Sequence, residues 1–118
     1  MMELNEIKRD RHLVAAIDWE MSPEEAVRLY LEWGNNWSRG YRMVRSREDE
    51  SYYFVLNTWG EDPLIYFIRR SSEGAVELAC LDIPEYLIST IEKGYSGSKG
   101  VYAVDNDLKN WLKRELDA

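Results

Sequence analysis

The stretch from Ser51 to Ile83 constrains this chain most. Three runs, "SYYFVLNTW" (51–59), "PLIYFIRR" (63–70) and "AVELACLDI" (75–83), are rich in aromatic and β-branched residues. The turn signals "GEDP" and "SSEG" separate them. Strands joined by so few residues run antiparallel, because parallel neighbours need a crossover of a dozen or more residues. An antiparallel meander is therefore predicted. If 52–59 pairs with 63–70 as a hairpin, Arg69 lies opposite Tyr53 and Arg70 opposite Tyr52.

The segments around the meander supply its cover. Residues 1–10 are polar and read as a short helical turn or a frayed end. "HLVAAIDW", His12 to Trp19, reads as a strand. A helix follows over 23–33. Ser22 is its N-cap, Pro23 fits its first position, Glu24 and Glu25 suit its positive end, and Gly34 ends it. Its Ala26, Val27, Leu29, Tyr30, Leu31 and Trp33 form a broad apolar arc. A second helix is predicted over 82–94, with Asp82 and Glu85 as a capping box and Leu87, Ile88 and Ile91 on one face. Residues 101–104 can add a short strand. Asp105 then caps a last helix with an apolar stripe of Leu108, Trp111, Leu112 and Leu116. The expected fold is one α+β domain over 1–118. It has a mainly antiparallel sheet of four to five strands and three helices packed mostly on one face.

Charge bears on partners. The 118-residue chain carries a formal net charge of −7, divided almost evenly between its halves. That balance opposes general nucleic-acid binding, which needs local positive charge. Cys80 is the single cysteine, so no intramolecular disulfide can form, which favours a reducing compartment. No apolar run follows the opening "MMELNEIKRDR". The longest apolar runs are about five residues, against the ~20 needed to span a bilayer. A soluble, cytoplasmic protein is expected.

The leading candidate site is the irregular segment after the 23–33 helix. Arg39, Arg42, Arg45 and Arg47 are interleaved there with Trp37 and Tyr41, next to Trp33. Guanidinium groups fork onto carboxylates or phosphates and stack on aromatic faces, so this segment can hold an anionic group or a partner protein. The competing reading is local charge balance, since Glu48, Asp49 and Glu50 follow at once. Trp19, Trp33, Trp37 and Trp59 all fall at ends of predicted elements and would cluster if those ends meet.

Other signals are weaker. "GYSGSKGV" (94–101) breaks the spacing of a phosphate-binding loop and has the wrong flanking elements. "NWS" (36–38) matches a glycosylation triplet but lacks a secretory context. His12 is the only histidine and reads as exposed. A zinc site lacks the necessary ligands, and no cofactor or metal is expected. A nucleophile pair would require His12 to meet Cys80. Asp18 and Glu20 read as turn or solvated acids. The expectation is a non-catalytic binding or adaptor protein, with an unknown protein or a small anionic ligand as partner. The alternatives are a small enzyme acting on an anionic substrate and an acidic inhibitor or antitoxin-like protein that binds a basic partner. The broad apolar arc and the five tryptophans also predict a two-fold homodimer.

Overall fold

β1 (Ser51–Asn57), β2 (Leu64–Ser71) and β3 (Gly74–Asp82) form the antiparallel meander that the turn signals imply. The structure, a computed structural model, describes residues 1–20, 22, 24, 51–71, 74–95 and 99–118. β4 (Val101–Ala103) pairs antiparallel with β1, giving the order β3-β2-β1-β4. The register differs by one residue from the expected one. Tyr52 faces Arg69, and Ser51 faces Arg70. The physical reason is the turn. The β1–β2 ladder ends at Asn57 opposite Leu64, so residues 58–63 form a connection longer than "GEDP" alone, and Thr58 continues the β1–β4 register with its amide bonded to Gly100 O at 2.9 Å.

β3 contains a bulge. Ala79 pairs with Phe67 and Glu77 with Ile68, so Leu78 is the extra residue. Leu78 and Ala79 both pack toward the main core. The bulge also reverses the alternation before it. Ala75 turns to the opposite face, where it joins Tyr53, Val55 and Ile68. Without it, Glu77 would share a face with Ala79 and Leu81, inside the main core. The Leu78 carbonyl accepts the Met2 N–H at 2.9 Å, so the N-terminal segment touches β3 at the bulge.

Four helices are described where three were expected: α1 (Leu4–Arg9), α2 (Arg11–Ala16), α3 (Glu85–Tyr95) and α4 (Asn106–Leu116). The expected helix over 23–33 lies outside the described residues but for Glu24. The strand predicted over His12–Trp19 is instead α2 for most of its length. Asp10 caps that helix, accepting the Leu13 N–H at 3.0 Å. Only Ile17 forms a bridge, parallel to Tyr52, and Asp18 N–H donates to Tyr52 O at 2.7 Å.

The capping box expected at Asp82 does not form, because Asp82 is the last residue of β3, opposite Leu64. Pro84 begins the next helix, its carbonyl accepting from the amides of Leu87 (2.9 Å) and Ile88 (3.2 Å). Gly94 lies within α3, which runs on to Tyr95. Asp105 does cap α4, accepting the Leu108 N–H at 2.8 Å. α4 ends with Asp117 in the left-handed region (φ 53°) and Ala118 N–H bonded to Lys113 O at 2.8 Å.

The main core lies between one face of the sheet and these helices. Ile7, Val14, Leu87, Ile91, Leu108, Trp111, Leu112 and Leu116 pack there with Phe54, Leu56, Ile65, Phe67, Ala79 and Leu81. Phe54 and Phe67 stack with ring centroids 4.6 Å apart. Arg11 ties the first helices to the last. Its guanidinium donates to Lys8 O, Leu116 O and Asp117 O, each at 2.8 Å. The opposite face carries its own buried cluster, with Tyr53, Val55 and Ile68 at most 1% exposed.

Candidate functional site

Because β1, β2 and β3 alternate in direction, one end of the sheet gathers the exit of β1, the entry of β2 and the exit of β3. β4 enters at the same end, where Val101 faces Asn57. Thr58 fastens this junction. Besides its amide bond to Gly100 O, its hydroxyl contacts Gly100 O (3.2 Å) and accepts the Gly100 N–H (2.9 Å). The next residue, Trp59, donates its amide to the Asn57 side-chain oxygen at 2.9 Å, an Asx-type turn.

The Trp59 indole is left 63% exposed on this fastened turn. Glu61 and Asp62 follow it and are exposed. Asp82, at the end of β3, and Glu85, at the start of α3, add two more exposed carboxylates. Tyr86, in the first turn of α3, is 62% exposed. Lys99 is an exposed cation in the loop entering β4. This end thus combines two exposed aromatic rings with four carboxylates.

The other described candidates have separate local roles. Trp33, Trp37, Arg39, Tyr41, Arg42, Arg45 and Arg47 lie outside the described residues. Of the two described tryptophans expected to cluster, Trp19 packs against Phe54 with ring centroids 5.7 Å apart, while Trp59 faces solvent. Lys113 Nζ lies 5.4 Å from the Trp19 ring centroid. Asp18 accepts the Glu20 N–H at 3.0 Å, a turn contact. Arg70 donates to Ser71 O beside it. In the 94–101 stretch, the Gly100 N–H is engaged by Thr58.

His12 and Cys80 do not form a nucleophile pair. Both are exposed, but α2 packs on the main-core face whereas Cys80 pairs with Tyr66 on the opposite one. Partial burial, followed by the charges of Glu77 and Asp82, pushes the Cys80 thiol up, which lowers its thiolate fraction at neutral pH. Partial burial also raises the Glu77 carboxyl.

Concave features are modest. A crevice of about 30 Å³ between Asp18, Trp19, Tyr53, Phe54, Ala103, Val104 and Lys109 has room for a single water. An open groove runs past Asn110, Lys113, Arg114 and Asp117, where charges of both signs meet. Among the described residues, no group of three or more His, Cys, Asp or Glu side chains could hold a metal ion. None of the described helices is long and apolar enough to cross a membrane.

Sequence reasoning placed Trp59 at the end of an element but missed its companions Glu61, Asp62, Asp82, Glu85 and Tyr86. A signal was present in "TWGEDP", which sets an aromatic residue beside two acids in a turn. No family model, curated protein or solved structure matches the chain.

Proposed function

We propose that this protein is a small binding module that contacts a partner protein through the Trp59 end of its sheet. The observation that carries the reading is the exposed indole of Trp59 on a turn held by Thr58, Asn57 and Gly100. Tryptophan is highly buried on average, so a large exposed ring is informative. Tryptophan is also enriched among the few residues that dominate binding energy at interfaces. A turn already fastened in place loses less conformational freedom when a partner docks.

Recovery of partners with the native protein and with Trp59→Ala tests this. The specific partner is expected to be retained by the first and lost by the second. Equal retention would move the contact surface elsewhere. The arginines of the Trp33–Arg47 segment are proposed as a separable second contact. Changing Arg39, Arg42, Arg45 and Arg47 together to Lys keeps their charge but removes forked geometry.

A further inference from the structure

We infer that the segment docking at this end of the sheet is basic, with an arginine or lysine side chain seated over the Trp59 indole. This rests on the reading of Trp59 as a contact residue. Exposed Glu61, Asp62, Asp82 and Glu85 surround the entry and exit points of the strands here, against the single described cation Lys99. An anionic segment would meet like charges on approach, whereas a basic one gains both steering and selectivity. The ring itself adds an attraction for cations, strongest for tryptophan. The chain already uses this pairing internally, with Lys113 Nζ over Trp19 at 5.4 Å. Arginine suits the site best, because its planar fork can stack on an indole while bonding a carboxylate.

The probe is a fluorescently labelled dodecapeptide of alternating Arg and Ser, compared with the Glu/Ser peptide by anisotropy at low and physiological salt. Four proteins are titrated: the native chain, Trp59→Ala, Glu61→Gln with Asp62→Asn, and Glu20→Gln with Glu115→Gln. The last pair removes the same charge from exposed positions elsewhere. Binding of the Arg peptide is expected to fall about fivefold or more in Trp59→Ala. A comparable fall is expected for the Glu61/Asp62 pair, and little change for the Glu20/Glu115 pair.

Equal losses in the two double variants would show attraction by overall acidity and overturn the inference. Absence of Arg-peptide binding, or equal binding of the Glu peptide, would overturn it too. If partner recovery still depends on Trp59 in either case, the binding-module reading stands and only the basic partner falls.

Discussion

Thr58 performs a task that its neighbours in the sequence do not reveal. Just past the end of the β1–β2 ladder, it clasps the entry of β4 through both its amide and its hydroxyl. Thr58→Val keeps the shape but leaves the Gly100 N–H without its side-chain acceptor. The expected cost is about 1–2 kcal/mol, read as a lower urea midpoint at an unchanged slope. Partner affinity should fall with it, because the Trp59 turn loses its fastening. An unchanged midpoint would mean that the clasp contributes nothing. The hairpin register is one residue off from sequence because the connection runs over 58–63. The signal "GEDP" marks a turn starting at Gly60, but the β1–β2 ladder already ends at Asn57, and Thr58 goes on pairing with Gly100, 42 positions away. Long-range partners of this kind leave no local trace. The exposure of Trp59 was hidden for a related reason. An aromatic residue at the end of a strand is buried or displayed according to how distant ends meet.

Helix ends were legible where the cap is local. Asp105 to Leu108 is a three-residue contact, and it forms as the sequence implies. Asp105→Ala should cost about 1 kcal/mol, measured by urea unfolding, while peptide binding at Trp59 stays unchanged. A loss of binding with the same variant would mean that α4 and the Trp59 turn are coupled. The apolar stripe of α4 and the face of α3 also read correctly, because both follow helical periodicity. α2 did not. The run Leu13-Val14-Ala15-Ala16-Ile17 is apolar throughout, and such a run has no period to separate helix from strand. Asp10 decides the matter by capping the helix, and Arg11 then holds the end of α4 through the carbonyls of Leu116 and Asp117. At Asp82 the sequence pattern of a cap was present, but ladder pairing with Leu64 took precedence.

At the scale of the whole molecule, each face of the sheet carries a buried cluster, and among the described residues β3 and the three-residue β4 are its edges. β3 is the longer, at nine residues, and half its backbone groups point away from β2. Such an edge is a template on which another chain can add a strand, and repetition of that step leads to aggregation. The bulge at Leu78 interrupts the template, and the amide of Met2 occupies the Leu78 carbonyl. A chain lacking residues 1–9 would lose this contact and the fully buried Ile7 together. It is expected to unfold at lower urea and to form large, thioflavin-positive assemblies at about tens of micromolar, a concentration that also reveals ordinary dimers. Sedimentation of the intact chain alongside it would show whether a discrete two-fold dimer forms. A truncated chain that stays small and dye-negative would show that the N-terminal segment adds cohesion but does not guard the edge. The opening residues would otherwise act as a stopper against uncontrolled polymer growth, placed at the Leu78 carbonyl beside the bulge.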